Sequence, residues 1–366
     1  MKEDLLYKIA ITRIEKVGVI TAKNLVSYCG GARAVFESTK KALVKIPGIG
    51  PQIANSILRQ QALIEAEREL DFIESHQIQA LFFLDEDYPK RLKQFHDCPI
   101  MLYYRGHADL NHPRVVAIVG TRKPSEYGKK VCRELIESLL PYQALVISGL
   151  AYGIDILAHR KCLEWEIPTV GVLGHGLQLV YPGAHRSTAQ KMVAQGGLLT
   201  EFGSDQGPER EHFPMRNRII AGLCDALVVV ETGRKGGSMI SAEMAYQYHK
   251  DVFAFPGRTI DQNSKGSNQL IKSHKAALIE SGRDIAFVMR WEELDQQKTI
   301  QKQFFVDLAP EEQQIVNLLL EKKVASIDQL SGAFQLSASQ LAALLLQLEF
   351  KGVLRSLPGQ RYTLCK

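Results

Sequence analysis

Apolar and polar positions change rhythm twice along the chain. Over the first hundred residues apolar side chains recur at three- and four-residue spacings in short runs, which predicts short helices. From Arg114 the pattern becomes short strand-like runs, Val115 to Val119 continuously apolar, separated by amphipathic stretches. The runs are Val115 to Val119, Leu145 to Ile147, Thr169 to Leu173, Leu198 to Phe202, Ala226 to Val230 and Val252 to Phe255. A continuous run such as Val115 to Val119 belongs to a parallel strand covered on both faces, and the alternation of strands with helices of ~10–15 residues predicts a doubly wound α/β sheet. Helices are expected from the Gly120-Thr121-Arg122 turn to about Leu140, over Ala151 to Trp165 and His185 to Ala194, after Arg218, from Gly237, and around Ser267 to Ser273. After Trp291 comes a polar, Gln-rich stretch. Helices over Pro310 to Glu321, Ser326 to Ala333 and Ser337 to Lys351 follow, the second with Ser326 as N-cap and the third stopped by Gly352. A hairpin over Val353 to Leu364 completes a small winged-helix pattern. The predicted division is a helical domain at 1–75, a connector at 76–110, an α/β core at 111–291, a linker at 292–304 and a winged helix at 305–366.

Glycine and polar residues gather just after the apolar runs. They are Gly120, Thr121 and Arg122; Ser148, Gly149 and Gly153; Gly174, His175 and Gly176; Thr232, Gly233, Lys235, Gly236, Gly237 and Ser238; Pro256, Gly257 and Arg258. In an open parallel sheet these positions share the carboxyl edge, where ligands bind at the switch in strand order. The stretch Phe213 to Ala245 is the centre of this pattern. A basic triplet, Arg216, Asn217 and Arg218, leads into a short helix, and a loop from Arg234 to Ser238 opens the next. A glycine loop at a helix N-terminus is a seat for phosphate, although a strand–helix turn with solvated charges has the same composition. No turn reads G-x-G-x-x-G or as a Walker A sequence, so no dinucleotide, nucleotide triphosphate or other cofactor is expected.

Composition narrows the partner. The 366 residues carry 45% apolar and 23% charged side chains, the balance of an ordinary globular protein. The six cysteines are scattered without a C-x-x-C pair, so neither a metal site nor a disulfide framework is indicated and a reducing cytoplasm fits. No apolar run approaches the ~20 residues of a membrane span. Asn111 to Arg290 holds 22 Lys+Arg against 17 Asp+Glu, leaving 23 of each sign elsewhere, so the whole net charge of +5 lies in the core and points to a polyanion. Near the N-terminus, Ile46 to Ile57 (IPGIGPQIANSI) resembles a helix-hairpin-helix turn, with a weaker copy at Lys16 to Leu25. A helical protein-contact module with Pro-Gly turns is the alternative. The third winged-helix helix offers Ser337, Ser339, Gln340, Gln347 and Glu349 with hardly a cation, which favours protein contact over DNA reading, while Arg355 and Arg361 in the wing dissent.

Six ordered motifs carry a wider resemblance. They are AIVGTR at Ala117 to Arg122 with Tyr127-Gly128; SGLAYGIDILAH at Ser148 to His159; GVLGHGLQLVYP at Gly171 to Pro182; FPMRNRIIAGLCDALVVVE at Phe213 to Glu231; GGSMISAEMA at Gly236 to Ala245; and FAFPG at Phe253 to Gly257 followed by KGSNQLI at Lys265 to Ile271. Together they resemble the DNA-processing protein A family, DprA or Smf, across nearly the whole chain. The resemblance implies a SAM-like helical domain, a Rossmann-like core and a winged helix. It further implies a cytoplasmic, non-enzymatic homodimer that binds single-stranded DNA and loads the recombinase RecA on it during natural transformation. In that role Arg122, Arg216, Arg218, Lys235 and Lys265 would meet phosphates, Asn217 phosphate or base (or simply cap its helix), and Tyr152, His175 or Phe213 a base. Two positions depart from the family: Tyr152 stands where Arg is usual, and Lys235-Gly236-Gly237-Ser238 where Ser-Gly-Ser is usual. Asp155 and His159, four apart on one helix face, are expected to organise their loop. The competing reading is an enzyme, because Gly236-Gly237 followed by Glu243 also resembles phosphoribohydrolases acting on nucleoside monophosphates.

Overall fold

The computed structural model describes residues 2–292, 309–322, 324–334, 338–351, 353–357 and 361–364. It divides into two units, 1–294 and 295–366. The predicted linker from 293 onward, Ser337, Gly352 and the turn at 358–360 lie outside the described residues.

In the first unit six helices come first: α1 (Lys2–Ile11), α2 (Val19–Cys29), α3 (Ala32–Glu37), α4 (Lys40–Leu43), α5 (Pro51–Leu58) and α6 (Gln61–Ser75). Their apolar faces meet around Ile9, Leu25, Leu43, Ala54, Ile57 and Ala66. Phe82, Ile100, Met101 and Tyr103 of the following segment complete the same core. That segment supplies β1 (Gln79–Phe82), α7 (Lys90–Lys93) and β2 (Met101–Gly106). The connector expected to fold onto the core therefore does so as two antiparallel strands added to the sheet edge. Tyr88, fully buried with its hydroxyl donating to the Pro99 carbonyl at 2.6 Å, pins the loop between them.

The remaining strands are β3 (Val115–Val119), β4 (Leu145–Ser148), β5 (Thr169–Val172), β6 (Gly197–Thr200), β7 (Ala226–Val229), β8 (Asp251–Ala254) and β9 (Ala277–Leu278). The sheet order is β1-β2-β6-β5-β4-β3-β7-β8-β9, parallel from β6 to β9. The chain steps outward from β3 to β6 and then returns to lay β7 on the other side of β3. The gap at the carboxyl ends of β3 and β7 is thus the switch point.

Alternate residues of β3 face opposite layers, as the pleat requires. Val115, Ala117 and Val119 join a core with α11 (His212–Leu223) and α12 (Gly237–Gln247), through Ile219, Ile220, Leu223 and Ala242. Val116 and Ile118 join the core under α8 (Glu126–Leu139) and α9 (Ile154–Glu164), through Val131, Leu135, Ile154 and Ala158. α10 (Arg186–Gln195), α13 (Lys265–Lys272) and α14 (Gly282–Met289) complete the layers. Two boundaries depart from expectation. α8 begins at Glu126, capped by the Ser125 hydroxyl, after a loop that follows Arg122. α11 begins at His212, so the basic triplet lies inside a helix rather than ahead of one.

The second unit holds α15 (Pro310–Lys322), β10 (Val324–Ser326), α16 (Ile327–Ala333), α17 (Ala338–Phe350), β11 (Leu354–Leu357) and β12 (Arg361–Leu364), with sheet order β10-β12-β11. Ser326 and Gln329 form the capping box that starts α16. Strand β10 adds a third strand to the expected hairpin. Glu349 of α17 accepts from the Ser356 N–H and hydroxyl, tying the helix to the wing.

Candidate nucleic-acid interface

An open crevice of about 1340 Å³ runs along the carboxyl ends of β3, β4, β5 and β7. Its walls are Gly120 to Arg122, Leu150 to Tyr152, Leu173 to His175, Phe213 to Asn217 and the loop from Thr232 to Ser241. The β3 side is fixed by the Thr121 N–H donating to the Glu231 carbonyl at 2.7 Å. The Glu231 carboxylate in turn accepts from the Ser125 N–H and hydroxyl at the start of α8. A Cβ on Gly128 would lie 2.3 Å from Glu231 Oε2, which explains the glycine of the Tyr127-Gly128 pair.

Arg216 forms the floor. Only 6% exposed, it donates Nη1 to the Val172 carbonyl and Nε to Asn217 Oδ1 at 3.2 Å. Burial pulls its pKa down, while Asp155 pushes it up. Asp155, 8% exposed, lines the same floor, and burial raises its carboxyl to about 6 against the pull of Arg216. Gly149 lies between them: a Cβ there would sit 2.5 Å from both Arg216 Nη1 and Asp155 Oδ2. His159 holds this turn from behind. Nε2 donates to the Gly149 carbonyl at 2.6 Å and Nδ1 accepts from Thr169 at 2.7 Å, and burial lowers its pKa to about 4, so the ring is neutral. Asp155 and His159 serve the loop, in line with expectation.

The rim is cationic. Arg122, Arg210, Arg234 and Lys235 are exposed and line the crevice, and among the described residues none has a carboxylate at ion-pair distance. The Gly236–Ser238 turn lines the crevice and opens α12 without any side-chain cap, so the first N–H groups of the helix have no side-chain acceptor among the described residues. A Cβ at Gly236 or Gly237 would meet nothing closer than 3.8 Å, so this turn is open to a ligand.

The structure sorts the predicted residues unevenly. Gly120, Thr121, Arg122, Tyr152, Gly174, His175, Phe213, Arg216, Asn217, Lys235, Gly236, Gly237 and Ser238 all line the crevice. Gly149, Gly153 and Gly176 stand behind its walls, where their missing side chains make room for protein atoms: Arg216 and Asp155, the Thr121 carbonyl, and the Gly203 carbonyl respectively. Lys265 opens α13 beside the Gly233 loop but outside the crevice wall.

Arg218 is the plain correction. Two residues along α11 from Arg216, it points away from the crevice and donates to Glu201 Oε2 and to the Asp97 carbonyl. Burial raises the Glu201 pKa and leaves its Oε1 without a partner, so Arg218 is spent on neutralising a buried acid. His175 is corrected in role: 1% exposed, its Nδ1 donates to the Gly176 carbonyl and its Nε2 accepts from the Tyr181 N–H, so its ring braces a loop and offers no face for stacking. Asn217 does not cap α11, being in its second turn. It bridges to α12 by donating Nδ2 to the Gly237 carbonyl at 3.4 Å. The Ser238 hydroxyl donates to Thr232 Oγ1 at 2.7 Å.

Among the lining residues not foreseen as site residues, two arginines and a tyrosine stand out. Arg210 arrives on the loop before α11, Arg234 on the loop before α12, and Tyr181 stands 49% exposed beside Phe213, ring centroids 6.1 Å apart. Tyr152, 52% exposed, packs edge-on against His185 at 4.8 Å. Two exposed tyrosines thus flank the cationic rim, one at each of two turns. The signal for Arg234 was its place in the glycine loop; Arg210 carries no local signal.

Known proteins resemble this arrangement. The model of the DNA recombination-mediator protein A family matches residues 79–290, and that of the DprA winged helix domain matches residues 306–360. Protein Smf of Synechocystis sp. is 31% identical over 97% of this chain and 98% of its own. The X-ray structure of DNA processing protein A from Streptococcus pneumoniae superposes with a TM-score of 0.68 at 30% identity, covering 78% of this chain and 98% of that one. A structure of DNA processing protein A from Helicobacter pylori, described for its unique single-stranded DNA binding mode, superposes with a TM-score of 0.54 at 30% identity over 59% of this chain and 98% of that one.

Proposed function

We propose that this chain, which belongs to the DNA recombination-mediator protein A family, binds single-stranded DNA in the crevice at the strand ends and presents it to the recombinase RecA. The observation that carries this reading is the rim: four exposed cations that have no carboxylate partner among the described residues, around an uncapped helix N-terminus. Such cations exchange small counterions for phosphates on binding, which favours a polyanion without regard to sequence. The flanking faces of Tyr152 and Tyr181 suit unpaired bases, which stack freely where duplex bases cannot. Turnover is not part of this reading. Glu243, the acid of the phosphoribohydrolase-like signature, lines the crevice, but both its oxygens accept from Lys275 Nζ at 2.9 and 2.7 Å. A homodimer built through the α/β core, acting in the cytoplasm during natural transformation, completes the proposal.

The test is competition between oligothymidylate and a duplex of equal length, followed by RecA filament nucleation on strand coated with single-strand-binding protein. Preference for the single strand and faster nucleation are expected. Equal affinity for both ligands with no effect on nucleation would overturn the reading. Release of base from a nucleoside monophosphate, abolished in Glu243→Gln, would replace it with the enzymatic one.

A further inference from the structure

The two hairpins of the helical segment are one local structure used twice. In Ile14 to Gly18 and in Ile46 to Gly50 the third residue is left-handed, Lys16 with φ 63° and Gly48 with φ 83°. In both, the fourth N–H donates to the carbonyl of the first, Val17 to Ile14 at 3.2 Å and Ile49 to Ile46 at 3.0 Å. In both, the fifth residue is an extended glycine ahead of a helix, Gly18 at φ −85°, ψ 174° and Gly50 at φ −86°, ψ 171°. No side chain caps either helix, and both turns are largely exposed.

Their surroundings differ in charge. From Ser38 to Ile64 the chain carries Lys40, Lys41, Lys45 and Arg59 and no Asp or Glu. All four cations are exposed, and among the described residues none enters an ion pair. Directly before the second hairpin a groove of about 560 Å³ is lined by Lys41, Lys45, Ser38, Thr39 and Tyr28, the tyrosine 63% exposed. Two ammonium groups without carboxylate partners among the described residues, the Thr39 hydroxyl and an open aromatic face in one groove are the chemistry of a nucleic-acid strand: the cations and the Thr39 hydroxyl suit phosphates and the ring suits a base, while the Ser38 hydroxyl is already given to the Ala34 carbonyl at 2.7 Å.

We propose that the α4–α5 hairpin and this groove form a second phosphodiester-backbone site, built from elements that contribute nothing to the crevice. The absence of any acid over 27 consecutive residues distinguishes this stretch from the flanking sequence, where Lys2, Lys8, Arg13 and Arg33 meet carboxylates, although Lys16, Lys23 and Arg68 have no ion pair among the described residues. The second site lengthens the track of DNA that one chain holds, or lets it hold a duplex arm while the crevice holds a single strand.

The experiment uses the full chain and two pairs of substitutions, Lys41→Gln with Lys45→Gln at the hairpin and Arg122→Gln with Lys235→Gln in the crevice. Binding of labelled oligothymidylate and of a labelled duplex is followed across a sodium chloride series, for each pair alone and for both together. The hairpin pair should lower the slope of log K against log salt by about 1.4 on the single strand or about 1.8 on the duplex, in the wild-type and the crevice-substituted background alike. The responding arm identifies the ligand. Unchanged slopes on both ligands in both backgrounds would overturn the second site, as would competition by polyglutamate equal to that by oligothymidylate. Failure of the crevice reading has a different signature: the crevice pair leaves the slope intact while the hairpin pair lowers it. Lys40→Gln with Arg59→Gln repeats the test with the other two cations of the acid-free stretch, and these exposed changes should leave the unfolding midpoint in place.

Discussion

Two sets of cationic side chains sit on one α/β unit and meet opposite fates. Along the seam where the helical segment and connector press on the core, each arginine finds an acid. Arg13 meets Glu69 at 2.8 Å and Asp205 at 2.5 Å, Arg91 holds Asp225 through Nε at 2.7 Å and Nη2 at 2.8 Å, and Arg218 meets Glu201. Along the rim of the crevice, Arg122, Arg210, Arg234 and Lys235 find none among the described residues. The seam uses charge to join elements; the rim keeps it in reserve for a ligand. Arg216 stands between the two sets, buried like the first and facing the crevice like the second, with Asp155 nearby rather than bonded to it.

Substitutions that exchange the two fates test this difference. The largest effect is expected from Arg218→Ala, which leaves Glu201 buried and uncompensated. A loss of about 3–5 kcal/mol should appear in denaturant unfolding, with an unchanged salt slope for DNA. A slope lowered by this variant, with stability intact, would place Arg218 on the rim after all. Asp155→Asn comes next. Because folding raises the Asp155 pKa to about 6, its protonated form is favoured in the folded state. That stabilising contribution is complete below the ordinary carboxylate pKa and is lost as pH rises through about 6, by up to about 3 kcal/mol. Unfolding free energies measured from pH 4 to 7 should decline in the wild type and stay flatter in Asp155→Asn, and the variant should bind oligothymidylate more tightly at neutral pH. Tyr152→Ala should weaken single-strand affinity by about 1–3 kcal/mol and leave duplex affinity and the salt slope unchanged, as lost stacking requires.

The division between seam and rim also marks what could be read from the chain. The sheet, its carboxyl edge and the glycine loop before α12 were legible, because short apolar runs alternating with helical stretches and followed by glycine have few other interpretations. The fates of individual cations were not. Arg216 and Arg218 share a triplet, yet the helix through them turns one toward the crevice and the other toward Glu201, 17 residues earlier. The acid opposite Arg91 lies 134 residues away. His175 looked like a stacking face because it follows a strand between glycines, and the N–H of Tyr181 that occupies its ring comes from the far end of its own loop. Glycines behind the wall had the same local signature as those facing the ligand, and only the packed neighbours of Gly149 and Gly153 separate them from Gly236 and Gly237. Arg210 entered the crevice on a loop with no periodicity to announce it.

The most direct measurement of the central claim, that unpaired rim cations hold the strand, is the salt dependence of oligothymidylate binding in Arg122→Gln with Lys235→Gln against wild type. The account predicts that the slope of log K against log salt falls by about 1.4 while the unfolding free energy stays within about 0.5 kcal/mol of wild type. An unchanged slope would show that the cations left without partners in the fold have none in the complex either.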